Sequence, residues 1–333
     1  MKSSKQFQPF IMGSGMAGDA IKKSLQILNI LEPQWDILPA IQVKRDASLK
    51  EISLSSENPL LFIAHPPGLH AKALQEADAG AFRAILCEKP IAVNLDEIQS
   101  LKKIKTKTAV FHVYRQSWGP QKLREMIHRG DLGEIFSIES RYWQPSGAHR
   151  ALNPESKTGS WKLDPHLGGP HGVLLDLGTH WVDLVSFILG DNICSQEAWF
   201  SFANTDAPHR DTHIHCSLEF TSGARALGSI SKVVHGSAND LDIHIHGSKK
   251  SASWKFMEPD QIVLGEGRDR SVLTRHDSLC GSKQSPYHGL GWLEGYIEIC
   301  RQVIKDVEGE KHTSYPTLAE ALKGTEVLLS MVK

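Results

Sequence analysis

The sequence lacks the features that would export the chain or anchor it in a membrane. No stretch approaches the roughly 18 consecutive apolar residues of a transmembrane helix, and residues 1–8 are polar, without the apolar segment of a signal peptide. The five cysteines are widely spaced and form no CxxC pair. Scattered thiols are typical of a reducing cytoplasm. We therefore expect a cytoplasmic protein with no membrane partner.

An excess of charge of one sign is also missing, because 37 Lys and Arg balance 38 Asp and Glu to a formal net charge of −1. This balance offers no basic face to nucleic acid. Internal repeats and low-complexity tracts are absent too. The length of 333 residues and 40% hydrophobic content suit a globular protein of two domains. Histidine, by contrast, is abundant, with 17 residues against 11 Phe and 5 Tyr.

The first part of the chain alternates short apolar strands with helices. Apolar residues at helical spacing begin at Ala17, and helices are also predicted within 70–79 and 96–104. Strands are predicted at 7–12, 37–43, 59–64, 84–87 and 108–113. This alternation favours a parallel, doubly wound sheet. We expect an α/β domain over residues 1–118.

The second part, residues 119–333, changes character. A loop rich in polar residues, Gly and Pro is predicted at 144–169, and two closing helices at 289–307 and 317–332. Alternating stretches occupy 134–142, 196–203, 212–220, 225–234, 241–246 and 251–257. Consecutive strands with little helix between them indicate a largely antiparallel, open-faced sheet in an α+β domain.

A glycine motif follows the first strand and opens the first helix. It reads Gly13-Ser14-Gly15-Met16-Ala17-Gly18, the G-x-G-x-x-G spacing in the strand–turn–helix context that favours dinucleotide binding. The glycines permit the tight turn, the approach of a pyrophosphate and close packing of helix on strand, while the helix N-terminus attracts the phosphates. After the second strand, Lys44 and Arg45 favour NADP, whereas Asp46 keeps NAD open.

Two further motifs carry groups suited to proton and charge chemistry. Glu88-Lys89-Pro90 ends a buried strand at the carboxyl edge of the sheet, where Lys89 can stabilise negative charge on an oxygen. Asp176 and His180 are four residues apart, on one helical face, with Gly178 between them. A carboxylate that orients an imidazole suits proton transfer.

In this order the motifs resemble the glucose–fructose oxidoreductase/inositol dehydrogenase (Gfo/Idh/MocA) family. The resemblance also includes Ala64-His65-Pro66-Pro67 followed by His70, residues 130–135, and the segment from Tyr287-His288-Gly289 onward. It implies an N-terminal Rossmann domain, a C-terminal open-faced sheet, and hydride transfer between NAD or NADP and a sugar, cyclitol or related polyol. Two departures stand out: His65 replaces the more usual Thr, and Pro170-His171 interrupts a glycine run.

The resemblance also implies the roles of individual residues. His180 is expected as general base in oxidation and acid in reduction, Asp176 as its orienting group, and Lys89 as the ligand of the reacting oxygen. Beside the glycine motif, cofactor contacts are expected from Lys44, Arg45, His65, Pro66, His70, Glu88 and Lys89. Open sheets of this kind pair between subunits, which implies a homodimer or homotetramer.

Substrate contacts are expected from aromatic and polar side chains near these motifs. Aromatic rings beside polar groups suit a sugar, which has apolar faces and hydroxylated edges. The candidates are Arg115, Trp143, Trp161, His171 and His288, with His149, Arg150, Lys162 and Tyr287 as neighbours.

Two other classes of function stay open. A non-catalytic regulator or sensor would keep the dinucleotide fold without its chemistry. A metalloenzyme would use His213-x-His215 and His244-x-His246, if adjacent strands brought the four imidazoles together. We expect no metal, because a polar sheet face accounts for these pairs.

Overall fold

The computed structural model describes residues 5–44, 47–153, 155, 160–203, 210–275, 291–310 and 314–332. The chain forms two compact units. Unit 1 comprises residues 1–116, 166–168 and 290–326, and unit 2 comprises residues 117–165, 169–289 and 327–333. Among the helices in these described ranges, none has the length and apolar character to cross a membrane.

Unit 1 contains a six-stranded sheet in which all neighbouring strands run parallel. The order is β2-β1-β4-β5-β6, with β3 also paired to β1. The strands are β1 (Lys5–Met12), β2 (Trp35–Ile37), β3 (Ile41–Val43), β4 (Pro59–Ile63), β5 (Ala84–Cys87) and β6 (Thr108–Val110). Every residue of β4 and β5 is buried, as expected for strands covered on both faces. The predicted doubly wound parallel sheet is confirmed.

The helices of unit 1 alternate with these strands: α1 (Met16–Leu31), α2 (Leu49–Ser53), α3 (His70–Asp78) and α4 (Leu95–Leu101). Helix α9 (Leu293–Val307) belongs to the same unit and packs against α1. The boundary expected at residue 118 assigns this returning segment to the second domain. Nine residues of α9 are buried, most of them apolar, and burial of an apolar face binds a helix to its neighbours regardless of its position in the sequence.

The strand predicted at 37–43 is wrong in one respect, because it is two strands. β2 ends at Ile37, and β3 begins at Ile41. Pro39 lies between them and has no backbone N–H to donate to a sheet. Its carbonyl accepts a hydrogen bond from Nε2 of Gln8 over 3.0 Å instead.

Unit 2 contains an eight-stranded sheet in the order β14-β13-β12-β11-β7-β10-β9-β8. β7 and β10 run parallel, and the other neighbouring pairs run antiparallel. The strands are β7 (Ile135–Trp143), β8 (Ile193–Ser201), β9 (His213–Phe220), β10 (Arg225–Ser231), β11 (Asp240–Gly247), β12 (Ser251–Lys255), β13 (Gln261–Glu266) and β14 (Asp269–Thr274). The predicted largely antiparallel sheet is confirmed, and the β13–β14 hairpin extends it beyond the prediction.

Helices cover one face of this sheet. Trp181 is fully buried there and donates from Nε1 to Oγ of Ser140 over 2.5 Å. Gly228 of β10 makes room for it, since a Cβ at that position would lie 2.5 Å from the indole. The helices of unit 2 are α5 (Trp118–His128), α6 (Ser146–Leu152) and α8 (Thr179–Leu189). Most of α7 (Pro165–Gly168) belongs to unit 1, and α10 (Leu318–Ser330) begins in unit 1 and ends in unit 2. The region predicted as a loop at 144–169 therefore contains α6, a 3-10 turn at Ser160–Leu163 and α7.

Candidate active site

The glycine motif forms a tight turn between β1 and α1. Gly13 has a φ of +114°, and a Cβ there would lie 2.4 Å from the carbonyl oxygen of Ala64. A Cβ on Gly18 would lie 2.5 Å from the carbonyl oxygen of Gly13. These two glycines are therefore required by the packing of the turn itself.

Gly15 has a different environment, because a Cβ there would meet nothing within 4 Å. It is the N-cap of α1 and supplies no side-chain cap to the first-turn N–H groups. Ser14 and Met16 on either side are exposed. An open approach to the N-terminus of a helix of 16 residues fits the pyrophosphate of a dinucleotide.

Lys44 is exposed directly after β3. On the same strand, Gln42 donates from Nε2 to the carbonyl oxygens of Ile11 and Gly13, over 2.9 and 3.2 Å. These two hydrogen bonds join the end of β3 to the end of β1 and the glycine turn. Arg45 and Asp46 lie outside the described residues.

His70, the first residue of α3, is fully buried and joins two loops of unit 1. Its Nδ1 lies 2.8 Å from the carbonyl oxygen of Pro90, and its Nε2 lies 2.9 Å from that of His65. Burial lowers the pKa of His70 to about 4, with a further contribution from the charge of His65. The two carbonyl contacts favour the protonated ring, but burial outweighs them, and the neutral imidazole, which has one N–H, donates to one of the two carbonyls at a time. His70 thereby holds the loop after β4 to the loop after β5. His65 is half-buried, and Pro66 caps the 3-10 turn Pro67–Leu69.

Glu88 is buried and linked to α9. The hydroxyl of Tyr296 donates to Oε1 of Glu88 over 2.5 Å, and the N–H of Lys89 lies 3.3 Å from Oε2. Burial and the neighbouring Glu88 carboxylate raise the pKa of Tyr296 well above its usual range, so the phenol stays a donor. Lys89 is half-buried, and the Lys89–Pro90 peptide is cis. Tyr296 was not predicted, because no motif surrounds it.

Arg115 is buried in a 3-10 turn at Val113–Gln116 and forms an ion pair with Glu320 over 3.2 Å. Burial raises the pKa of the Glu320 carboxyl, but the charge of Arg115 and the hydrogen bonds from Thr317 outweigh this effect. The pKa of Glu320 is therefore lowered overall. The structure thus places Arg115 in an ion pair within unit 1.

In unit 2, Asp176 and His180 lie where a π-helical turn (Leu174–Gly178) passes into α8. His180 is 7% exposed, and its ring meets the edge of Tyr142 with centroids 6.2 Å apart. π-Helical turns within helices are rare and occur frequently at functional sites. A Cβ on Gly178 would lie 3.4 Å from Leu328 and 3.8 Å from Ile214, which is ordinary contact, so the packing does not require glycine here.

The carboxylate of Asp176 is held by two lysines. Its Oδ2 accepts hydrogen bonds from Nζ of Lys162 over 2.8 Å and from Nζ of Lys232. Lys162 lies in the 3-10 turn before α7, and Lys232 follows β10. The predicted bond from Asp176 to His180 stays a prediction.

Asp211 fixes the start of the π turn. Its carboxylate accepts from the N–H groups of Gly172 and Leu174 over 2.8 and 2.7 Å, and Nδ1 of His171 lies 3.4 Å away. Burial opposes ionisation, but these bonds lower the pKa of Asp211. Arg210 beside it donates to the carbonyl oxygens of Gly169 and His171, each over 2.5 Å. Sequence reasoning missed Asp211, Arg210 and Lys232, which no local pattern distinguishes.

The two tryptophans expected to contact the substrate lie on different elements, Trp161 in the 3-10 turn before α7 and Trp143 at the end of β7. Trp161 is 37% exposed beside Lys162, whose Nζ lies 5.6 Å from the ring centroid. Trp143 stacks under Arg141 and donates to Oγ of Ser229 over 3.1 Å. Because neighbouring residues of a strand point to opposite faces, Trp143 projects away from the face on which Tyr142 meets His180. His288 and Tyr287 lie outside the described residues.

The two His-x-His pairs are not brought together. β9 and β11 are separated in the sheet by β10 and β7, so the four-imidazole cluster considered from the sequence is wrong. Nε2 of His213 lies 3.0 Å from Nε2 of His215, and burial together with His215 lowers the pKa of His213. Within the described ranges, no group of three or more His, Cys, Asp or Glu side chains could hold a metal ion.

Three of the four described cysteines are buried free thiols. Cys87, Cys216 and Cys300 are buried, and burial raises the pKa of each thiol, that of Cys216 to about 12. Thiols of this kind stay protonated and are weak nucleophiles. Cys194 is exposed and donates to the carbonyl oxygen of Glu219.

Comparison with known proteins matches both parts of the chain to one family. Residues 20–114 match the oxidoreductase family with an NAD-binding Rossmann fold, and residues 121–253 match the GFO/IDH/MocA C-terminal domain. Uncharacterized oxidoreductase YfiI of Bacillus subtilis is 25% identical over 326 residues, which cover 90% of this chain and 79% of the relative. Inositol 2-dehydrogenase of Rhizobium meliloti is 25% identical over 241 residues, covering 69% and 67%.

Among solved structures, an inositol dehydrogenase homolog from Azotobacter vinelandii, complexed with NAD+, shares the fold. It superposes with a TM-score of 0.84 at 20% identity and covers 99% of this chain and 96% of that one. The chain belongs to the GFO/IDH/MocA family of oxidoreductases, which has an NAD-binding Rossmann domain.

Proposed function

We propose that the protein is an NAD(P)-dependent dehydrogenase that interconverts a hydroxyl and a carbonyl group of a sugar, cyclitol or related polyol. The observation that carries the proposal is the Asp176-x-Gly178-x-His180 segment, in which a buried imidazole follows a π turn held by Asp211. The relative named Inositol 2-dehydrogenase supports a polyol as the substrate class.

The chain's own residues manage the proton and the charge on oxygen. His180 accepts the hydroxyl proton in oxidation and returns it in reduction. The ammonium of Lys89 hydrogen-bonds the reacting oxygen and stabilises the negative charge that develops there. Asp176 orients the proton-transfer group. A bound nicotinamide would supply the acceptor for the hydride of the alcohol carbon, so that oxidation removes one proton and one hydride in total.

For the cofactor we propose a preference for NADP. Lys44 is exposed at the end of β3, next to the glycine turn through the bonds of Gln42. A cation in this position suits the 2′-phosphate of NADP. Gly15, with open space before α1, admits the pyrophosphate of either cofactor. His65, Pro66, His70 and Glu88 contribute by shaping the loops after β4 and β5.

We also propose a homodimer or homotetramer that pairs through the open face of the eight-stranded sheet. Trp199, Leu227 and Val272 expose 59%, 50% and 52% of their surface on the strands of this face. Burial between subunits would remove this apolar surface from water. The scattered free thiols support the cytoplasm as the compartment.

A non-catalytic regulator is the alternative, and it is the less supported one. The family comprises oxidoreductases, and Lys89, Asp176 and His180 are all present in this chain. Among the substrate candidates, Trp161 and His171 lie near the Asp176 segment and are the ones we retain.

The test is cofactor reduction on a panel of sugars and cyclitols. Purified protein is incubated with NAD+ or NADP+ and each polyol, and absorbance of the reduced nicotinamide is followed. We expect turnover with at least one polyol, a higher kcat/KM with NADP+, and loss of turnover in Lys89→Met. Tight cofactor binding without turnover on any polyol would favour the regulator.

A further inference from the structure

Two histidines of β9 meet on the open face of the sheet in unit 2. His213 and His215 are two residues apart on one strand and therefore project to the same side, while Ile214 between them is buried on the opposite side. Their Nε2 atoms lie 3.0 Å apart, and their ring centroids lie 4.5 Å apart with the ring planes at 48°. We call His213 and His215 the histidine pair.

The backbone of β9 holds the two rings at this spacing. β9 is paired with β8 on one side and with β10 on the other, and both ladders include the residues of the histidine pair. A strand inside a sheet has little freedom to shift, so the distance between the two imidazoles is set before a ligand arrives. Such preorganisation lowers the cost of binding.

The separation of the two Nε2 atoms suits two ligands of one metal ion. Bonds from a metal ion to histidine nitrogen are about 2.0–2.1 Å long. Two such bonds that meet at a right angle place the nitrogens about 2.9 Å apart, and two that meet at the tetrahedral angle place them about 3.4 Å apart. The 3.0 Å of the histidine pair lies between these values. Rotation about χ2, a torsion with a broad energy profile, turns both lone pairs toward one point without moving the strand.

The protonation and exposure of the histidine pair also suit a metal ion. Burial and the neighbouring His215 lower the pKa of His213, and a neutral imidazole is the form that binds metal. In both rings the proton then lies on Nδ1, which leaves the lone pair of each Nε2 for the ion. His215 is exposed, whereas His213 is half-buried, so an ion and its water ligands reach the pair from solvent.

We propose that the histidine pair binds a divalent transition-metal ion of the Zn²⁺, Ni²⁺ and Cu²⁺ group through both Nε2 atoms, with water in the remaining coordination positions. Imidazole nitrogen suits these ions, whereas Mg²⁺ and Ca²⁺ prefer oxygen ligands. The site goes beyond the proposed function, because Ile214 marks the opposite side of β9 as the one that faces the helices and Gly178. The ion takes no part in the proposed hydride transfer.

Calorimetric titration tests the site. Full-length protein without an affinity tag is treated with a chelator, dialysed, and titrated with ZnCl₂, NiCl₂ and MgCl₂. We expect saturable binding of Zn²⁺ and Ni²⁺ at one ion per chain and no binding of Mg²⁺. One ion per two chains would also support the pair, with the histidine pairs of two copies sharing the ion. Absence of saturable Zn²⁺ and Ni²⁺ binding would overturn the proposal.

Variants assign the ion to the histidine pair. Loss of an outer-shell partner lowers metal affinity about 10–100-fold, so His215→Gln, which removes a ligand at an exposed position, should raise the Kd for Zn²⁺ by about tenfold or more. The matched control is the double variant His244→Gln/His246→Gln. These two histidines have the same spacing on β11, but no contact between their rings is found in the described part of the chain. Its Kd should equal that of the wild type, and equal weakening in the two variants would contradict the assignment.

Electron paramagnetic resonance of bound Cu²⁺ reports the ligands directly. The wild-type complex should show nitrogen superhyperfine splitting from two imidazoles, and His215→Gln should show that of one. Retention of the two-nitrogen signal in His215→Gln would place the ion on other residues and overturn the proposal. Neither measurement needs substrate or nicotinamide, so the site stands or fails independently of polyol turnover.

Discussion

The hydroxyl of Tyr296 donates a hydrogen bond of 2.5 Å to the carboxylate of Glu88, although the two residues are 208 positions apart. Glu88 precedes the lysine proposed to bind the reacting oxygen, and Tyr296 lies on α9. The bond therefore joins the returning helix of unit 1 to the end of β5. The other carboxylate oxygen of Glu88 accepts a hydrogen bond from the backbone N–H of Lys89.

Tyr296→Phe should destabilise unit 1 and slow the reaction. The variant removes a donor from a buried carboxylate, which costs about 1–3 kcal/mol of unfolding free energy. The Glu88 carboxylate is also less restrained in the variant. Because Lys89 is the next residue, its ammonium should be positioned less well, and kcat should fall several-fold. Denaturant unfolding and steady-state kinetics measure the two effects. Tyr315→Phe is the control, because the Tyr315 hydroxyl donates to a more exposed carboxylate, Asp306. Equal stability losses in the two variants would contradict the special role of the Glu88 bond.

Two glycines of one motif should respond differently to the same substitution. Gly15→Ala places a methyl group in open space, so unfolding free energy should change by about 1 kcal/mol or less, while cofactor Kd rises. Gly18→Ala places it 2.5 Å from the Gly13 carbonyl oxygen, and such overpacking costs about 1–3 kcal/mol. Thermal unfolding and fluorescence titration with NADPH separate the effects. Unchanged cofactor binding in Gly15→Ala would argue against a pyrophosphate at this turn.

The parts predicted from the sequence are those defined by local patterns. The glycine motif requires a turn between strand and helix whatever follows it, and apolar runs such as β4 and β5 specify buried parallel strands. Alternation predicted most of the second sheet. The sequence pattern does not predict β14, because four of its six residues are exposed and neither face of the strand is consistently apolar.

The missed groups depend on tertiary structure. Tyr296 meets Glu88 only because α9 returns to unit 1. Lys232, at the end of β10, meets Asp176 only because the sheet places that strand beside the π turn. Arg210 and Asp211 precede β9 without a recognisable spacing. Long-range pairs of this kind leave no periodicity in a single sequence.

Stability should fall in mildly acidic solution because of His70. Burial, with His65 and Lys89 nearby, lowers its folded pKa from 6.5 to about 4. Below pH 6.5 the unfolded chain therefore binds a proton at His70, whereas the folded imidazole stays neutral until the pH approaches 4. The contribution of neutral His70 is complete above pH 6.5 and is lost as pH falls toward 4, amounting to about 2 kcal/mol between pH 7.5 and pH 5.

His70→Gln measures this contribution. The variant cannot titrate, so the stability gap between it and the wild type should narrow by about 2 kcal/mol when denaturant unfolding is repeated at pH 5 instead of 7.5. His128→Gln, at an exposed position on α5, is the control for the loss of a histidine. A gap that is the same at both pH values would mean that His70 is not held neutral in the folded chain.

His180→Ala should lower kcat by about 10²–10⁴ and leave cofactor Kd nearly unchanged. The reason is that the hydroxyl proton loses its acceptor, while the cofactor contacts proposed at the glycine turn belong to other residues. Single-turnover kinetics and NADPH titration measure the two quantities on the same preparation. His128→Ala is the control for the loss of a histidine, and it should retain wild-type turnover.

Because His180 is buried against Tyr142, its removal also leaves a cavity, and a lower kcat alone does not distinguish chemistry from packing. Added imidazole does, since a small base that enters the cavity can take the proton. Recovery of turnover that rises with imidazole concentration is the expected result. Near-normal turnover of His180→Ala on the true substrate would mean that another group accepts the proton.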